Sequence, residues 1–232
     1  MLNPTYYQLL MQSTLFRNIS EAELIQLLPC LSVHTKTYEA EKIILTQGET
    51  VDYLYIILEG TIEIAKENLS GNKNILSLLS PSQLFGEGIV CTHQRLSPVI
   101  ATALTPVTLL LIPYERIVSG CKHSCSFHYR LIHNMMVLLG EKNYQLNTKM
   151  ELLLLKGMRE KLATYLLLES RKQKTHSFII SLNRNQLADY LNVSRSSMCR
   201  ELGRMQEEGI IEYYQNSFKL LDEKKLYAIL SK

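Results

Sequence analysis

Apolar positions along the chain change their spacing twice. Over residues 33–112, short apolar runs alternate with glycines and turn residues, which is typical of many short antiparallel strands. Ahead of them, Ser20 and the acidic residues that follow it predict the start of a helix within a short helical region at 5–30. The pattern predicts an antiparallel, jelly-roll-like β-roll, that is, a double-stranded β-helix. Its clearest strands are expected at 42–45, 54–58, 61–65 and 107–112, with a turn at 70–72.

From about residue 124 to residue 155 the apolar period becomes that of one long helix. Seven positions recur at alternating steps of four and three residues, which is the heptad seam of a coiled coil. The polar member, Asn143, occupies an a position, where two amides can satisfy each other across a dimer axis. A second apolar face, formed by Leu131, Met135 and Leu138, also suits a helix that lies on the β-roll of its own chain. We therefore expect a helix that serves both contacts, in a parallel homodimer. The predicted dimer interface comprises Ile132, Met136, Leu139, Asn143, Leu146, Met150 and Leu153.

The segment 185–202 carries the most specific pattern in the chain. Ala188 is small where two helices would approach closely, Asn192 tolerates the left-handed conformation of a tight turn, and Ser194 can cap the next helix. These features predict a helix-turn-helix, and strands expected at 210–214 and 218–221 would form its wing. Arginine side chains on the second helix can pair bidentately with guanine, whereas serines and helix amides can hold a phosphate. The same fold also serves protein contacts, and that alternative stays open. The candidate DNA-contacting residues are Ser194, Arg195, Ser196, Ser197, Cys199, Arg200, Asn216 and Lys219.

The remaining elements complete an α+β fold in three parts. A helix at 159–169 and a strand at 177–182 precede the helix-turn-helix, and a last helix begins near Asp222. The expected parts are an N-terminal sensor domain at 1–118, a long dimerisation helix at 119–155 and a C-terminal winged helix-turn-helix at 156–232.

The two ends of the chain differ in net charge. The net charge of +3 is an average: residues 156–232 carry 14 lysines and arginines against 9 acidic residues, a net of +5. The first 155 residues carry 11 basic against 13 acidic residues, a net of −2. A basic C-terminal part favours a polyanionic partner, and it coincides with the predicted helix-turn-helix.

Composition excludes several classes of protein. A chain of 232 residues with 46% hydrophobic residues is long and apolar enough to fold, and no apolar run approaches the ~18 residues that a membrane span needs. The N-terminus lacks the basic and apolar regions of a secretory signal. Five cysteines without a CxxC pair favour the reducing cytoplasm. No Walker loop, G-x-S-x-G, H-E-x-x-H or G-x-G-x-x-G motif is present, so we expect no enzymatic activity. Because no apolar run is long enough for a span, we also expect no membrane partner.

The order of these segments resembles the CRP/FNR family of bacterial transcription regulators over about residues 15–225. The resemblance implies a cyclic-nucleotide-binding-like β-roll, a dimer bound to a palindromic double-stranded operator, and contact with RNA polymerase. In this family the recognition helix commonly carries Arg-Glu-x-x-x-Arg. The corresponding residues here are Arg195, Ser196 and Arg200. Because Ser196 replaces the glutamate, the resemblance implies an operator that differs at the corresponding base.

The resemblance also extends to the start of the family's phosphate-binding cassette. Phe85 and the following Gly86-Glu87-Gly88 match that start, where backbone amides meet a phosphate and the glutamate accepts a ribose hydroxyl. The cassette should close with Arg-Ser/Thr-Ala, but the chain has Ser97-Pro98-Val99, with Arg95 displaced two residues upstream. We therefore expect an unidentified small effector, or a β-roll without a ligand, in preference to cyclic AMP. The candidate effector pocket comprises Gly86, Glu87, Gly88, Arg95, Ser97, Lys142 and Asn143.

A cluster of cysteine and histidine precedes the long helix. Cys121, His123 and Cys125 have spacings that suit a metal, a haem or a thiol switch, but ordinary packing and solvent exposure are the expected interpretation. Cys30 is the only cysteine before Cys91, so the N-terminal iron–sulfur cluster of some family members is not expected. No metal site is predicted.

Overall fold

The computed structural model describes residues 3–67, 73–119 and 126–230. The chain divides into two compact units, Met1–Lys142 and Asn143–Lys232, so the dividing point falls inside the long helix. The first contains the β-roll and the second contains the helix-turn-helix. The turn predicted at 70–72 lies outside the described residues.

The N-terminal helices pack on the β-roll of the first unit. They are α1 (Pro4–Gln12), a short 3-10 helix (Thr14–Phe16) and α2 (Glu21–Cys30). The Ser20 hydroxyl accepts a bond from the Glu23 amide, and the Glu23 carboxylate accepts one from the Ser20 amide, so both members of a capping box are satisfied. The predicted helix start at Ser20 is confirmed. Leu24, Leu27 and Leu28 of α2 are buried in the core.

Two four-stranded antiparallel sheets form the β-roll. The strands are β1 (His34–Tyr38), β2 (Ile43–Leu45), β3 (Tyr53–Glu59), β4 (Ile62–Glu67), β5 (Lys73–Leu79), β6 (Leu84–Phe85), β7 (Ile100–Ala103) and β8 (Val107–Pro113). One sheet has the order β1-β8-β3-β6 and the other the order β2-β7-β4-β5. Apolar side chains of β3 and β8 are buried between the layers, which confirms the predicted roll.

Three more helices complete the first unit, and the last of them continues into the second. They are α3 (Glu87–Val90), α4 (Tyr114–Val118) and α5 (Ser126–Leu154). Leu131, Met135 and Leu138 of α5 are buried in the core of the first unit, as the sequence predicts for one face of this helix. Arg130 strengthens the contact, since its Nη1 donates to the Asn18 carbonyl at 2.7 Å. The face of α5 that carries the heptad seam is exposed, since Met136 and Leu146 are 68% and 69% exposed.

The second unit has a core of its own. Its elements after α5 are α6 (Met158–Gln173), β9 (Ser177–Ile179), α7 (Arg184–Leu191), α8 (Arg195–Glu207), β10 (Ile211–Tyr214), β11 (Ser217–Leu220) and α9 (Glu223–Leu230). The strands form one antiparallel sheet in the order β10-β11-β9. Helix α6 runs four residues beyond the predicted end, to a left-handed cap at Lys174, and β9 ends three residues before the predicted position. Among the described residues, no helix combines the length and apolar content needed to cross a membrane.

Candidate nucleic-acid interface and sensor site

The turn between α7 and α8 has the conformation that its sequence predicts. Asn192 adopts φ +51°, and the amides of Asn192 and Val193 donate to the carbonyls of Asp189 and Ala188 at 3.1 and 3.0 Å. Ala188 is buried where the two helices meet. The left-handed residue and the small residue together allow the tight turn and the close approach of the two helices.

Helix α8 presents a polar outer face. The Ser194 hydroxyl accepts a bond from the Ser197 amide at 3.3 Å, which confirms Ser194 as the cap of this helix. Met198 and Leu202 are buried, whereas Arg195, Ser196 and Arg200 are exposed. The Arg200 guanidinium donates from Nη2 to the Ser197 hydroxyl at 3.2 Å. Cys199 is only partly exposed and packs against the core, so it adds less to this face than the sequence predicts.

Aromatic side chains pack together on the inner side of the wing. Strands β10 and β11 pair in register from Ile211↔Leu220 to Tyr214↔Ser217. On the inner side, the rings of Tyr213 and Phe218 lie 5.8 Å apart, and those of Phe178 and Phe218 lie 6.2 Å apart. Of the predicted wing contacts, Lys219 is exposed and Asn216 is half-buried in the turn.

Two lysines bind the end of α7, a feature that the sequence analysis missed. Lys161 is buried and donates from Nζ to the Leu191 carbonyl at 3.1 Å. Lys149 donates to the Tyr190 carbonyl, and its Nζ lies 3.1 Å from the centre of the Tyr190 ring. Burial lowers the pKa of Lys149, and the charge of Lys161 lowers it further. Both ammonium groups satisfy carbonyls at the negative end of a helix dipole. One feature of the sequence could have revealed that Lys161 is buried. It lies four residues before Tyr165, which is buried, and residues four apart share a helix face.

The candidate effector pocket in the first unit contains one buried carboxylate. Gly86 adopts φ +87°, and a Cβ there would meet the Tyr53 carbonyl oxygen and the Tyr55 ring at 3.1 Å, so glycine is required. Glu87 is only 6% exposed, and its Oε1 is bonded to the Nζ of Lys142 from α5. Its Oε2 is buried and has no partner among the described residues.

The other candidate pocket residues have different partners. The Arg95 guanidinium donates to Glu115 at 2.6 Å, lies 3.6 Å from an Asp52 oxygen and stacks on the Tyr114 ring. The hydrogen bond to Glu115 raises the pKa of Arg95. The buried Ser97 hydroxyl donates to the Val99 carbonyl at 2.7 Å. Gly88 has open space around its Cα, and Asn143, in the second unit, accepts a bond from Asn147 at 3.4 Å. Gly86, Glu87 and Lys142 are therefore brought together, whereas Arg95 and Ser97 are engaged elsewhere.

Cysteine and histidine give no candidate metal centre in the part of the chain that the structure describes. Within those residues, no group of three or more His, Cys, Asp or Glu side chains is arranged to hold an ion. Cys121, His123 and Cys125 lie outside the described residues, so their possible role stays a prediction.

Comparison with known proteins matches each of the two units to a protein-family model. The family model described as "Cyclic nucleotide-binding domain" matches residues 35–124, and the one described as "Crp-like helix-turn-helix domain" matches residues 160–229. The chain belongs to the CRP/FNR family. Its CRP/FNR relatives include the Cyclic AMP receptor protein of Thermus thermophilus, 26% identical over 76% of this chain and 78% of that protein. The Transcriptional activator protein Anr of Pseudomonas protegens is 24% identical over 79% of this chain and 75% of its own length.

Two solved structures share the fold. The Catabolite Activator Protein of Thermus thermophilus aligns with a TM-score of 0.53 and 24% identity, covering 94% of this chain and 98% of that one. A CooA mutant of Carboxydothermus hydrogenoformans aligns with a TM-score of 0.54 and 19% identity, covering 99% and 97%. The family models and the curated relatives show that the chain is a transcription regulator of the CRP/FNR type, and the solved structures show the predicted α+β architecture.

Proposed function

We propose that the protein acts as a homodimer that reads a palindromic DNA operator with α8. The observation that carries this proposal is the outer face of α8, where Arg195, Ser196 and Arg200 are exposed on a helix whose opposite face is buried. Two guanidinium groups on such a face suit bidentate hydrogen bonds to guanine in the major groove. Ser194, Ser197 and the first amides of α8 would hold a backbone phosphate, and Asn216 and Lys219 of the wing would add contacts beside them.

The open face of α5 supports dimerisation. Met136, Leu146 and Met150 are more than half exposed, at positions spaced as in a coiled-coil seam, and Leu153 continues the stripe. Ile132 and Leu139, the other apolar members of the seam, are partly exposed. Asn143 would pair with its copy across the axis and fix a parallel register. A two-fold dimer then carries two copies of α8, which must meet half-sites about 34 Å apart on the DNA.

Cyclic AMP does not fit the sensor site as the side chains are arranged. A cyclic phosphate needs a positively charged donor, but Arg95 is held by Glu115 and Asp52, and Ser97 by Val99. Glu87, which would accept a ribose hydroxyl, is paired with Lys142. One relative is named for cyclic AMP, yet these contacts favour a different small effector or none. The proposal includes contact with RNA polymerase and a cytoplasmic location, and it includes no catalytic activity.

Selection from a pool of random DNA duplexes tests the proposed function. We expect the wild-type protein, with or without cell extract to supply an effector, to enrich a palindrome with half-sites about one helical turn apart. A variant carrying both Arg195→Ala and Arg200→Ala should lose the enrichment, whereas Lys224→Ala, which removes an exposed charge from α9, should keep it. Failure of the wild type to enrich any sequence would overturn the proposal. Enrichment of the same palindrome by the double variant would show that α8 does not read the bases.

A further inference from the structure

Arg184, the first residue of α7, is inserted beneath the wing. Its guanidinium lies 5.0 Å from the ring centres of both Tyr213 and Phe218. Its Nη2 donates to the carbonyl of Gln215, in the turn between β10 and β11, at 2.6 Å. One side chain therefore contacts both strands of the wing and the turn that joins them. These contacts are distinct from the base-reading face of α8.

The charge of Arg184 is not used in an ion pair. Within the described residues, no salt bridge includes Arg184, and its Nη1 is buried without a partner. Burial lowers the pKa of Arg184, but a guanidinium is still charged at neutral pH. The charged guanidinium is thus held by two aromatic faces and one carbonyl. An apolar side chain could fill the same space if packing alone were needed.

The wing depends on such a contact because it is short. Four residue pairs join β10 to β11, and hairpins of this size are only marginally stable without packing on one face. Gln215 adopts φ +48°, an uncommon conformation for a residue with a side chain, and Arg184 binds the carbonyl of that same residue. The inner residues Tyr213 and Phe218 face Arg184, so strand alternation places Lys219 on the opposite side.

We propose that Arg184 is a positioning residue that holds the wing turn in place for DNA. This inference rests on the proposed function, because it assumes that the wing contacts DNA through Asn216 and Lys219. Arg184 would act through those residues and would not itself contact a phosphate. The alternative, a direct phosphate contact by Arg184, predicts a different result in each measurement below.

Amide hydrogen exchange without DNA tests whether Arg184 holds the wing. In Arg184→Met we expect the amides of Tyr214 and Ser217 to exchange about tenfold faster than in the wild type. Arg171→Met is a matched control, since Arg171 stacks on Tyr227 at 5.8 Å, away from the wing, and should leave these two amides unchanged. Equal exchange in Arg184→Met and the wild type would overturn the proposal. This measurement does not depend on the protein binding DNA.

A double-mutant cycle on the selected operator tests whether the positioning matters for DNA. We expect Arg184→Met to weaken binding about tenfold in the intact protein, but less than about twofold when Asn216→Ala and Lys219→Ala are already present. In that second background the slope of log affinity against log salt should not change. An equal loss in both backgrounds, with the slope reduced by about 0.9, would make Arg184 a phosphate contact and overturn the proposal. If the wild type selects no DNA, the proposed function fails and the DNA role of Arg184 with it, while the exchange result still decides the contact with the wing.

Discussion

Removal of the Lys142 ammonium tests how the candidate effector pocket is stabilised. In Lys142→Met, the Glu87 carboxylate would stay buried with neither oxygen paired, since Oε2 already has no partner among the described residues. A hydrogen bond to a charged group contributes about 1.5–3 kcal/mol. The Lys142 side chain is 50% exposed, so water screens part of the interaction and we expect the lower end, about 1.5 kcal/mol. For a protein of this size that loss corresponds to a decrease in Tm of about 3–6 °C.

Urea unfolding of the first unit measures this loss. The variant Lys66→Met, at an exposed position of β4, removes a lysine charge without touching the pair and serves as the control. Glu87→Gln combined with Lys142→Met removes both charges, so the double variant should be more stable than the sum of the single losses predicts. If Lys142→Met unfolds at the same urea concentration as Lys66→Met, the inference that Lys142 compensates a buried Glu87 charge is wrong.

Three further predictions concern the dimer, pH and the ligand. Asn143→Leu should stabilise the paired helices but allow oligomers other than the dimer. If the variant sediments strictly as a dimer, Asn143 does not determine the oligomeric state. Arg159 lowers the pKa of Glu208 below its ordinary value of 4.5, so the stabilisation by this pair is present above that pH and is lost as the pH falls. Glu208→Gln should therefore lose less stability than the wild type between about pH 5 and about pH 3. If the free energy of unfolding changes equally with pH in both proteins, the pair does not contribute as inferred. Calorimetric titration with cyclic AMP should give no binding heat, and saturable binding would contradict this prediction.

Local features of the helix-turn-helix could be predicted from the sequence because they depend on neighbouring residues. The conformation of Asn192 and the cap at Ser194 are set within a few residues of each position, and the structure has both. Helical periodicity likewise predicted the face of α5 that packs on the β-roll, and Leu131, Met135 and Leu138 are buried there.

The partners of long charged side chains could not be predicted in the same way. Lys142 and Glu87 are 55 residues apart, and Arg184 and Gln215 are 31 apart, so only the tertiary fold brings them together. The family resemblance put Arg95 and Ser97 in an effector pocket, but their hydrogen bonds follow from where α4 and the backbone at Val99 lie. Flexible side chains have many rotamers, and the sequence does not determine which one the surroundings select.

The affinity of Arg200→Ala for the selected operator, compared with its affinity for random DNA, tests the central claim most directly. If Arg200 reads a base, operator binding should weaken by about 1–3 kcal/mol while binding to random DNA changes far less, so the specificity ratio falls. An equal loss on both DNAs would make Arg200 a phosphate contact and would contradict the claim that α8 reads sequence through it.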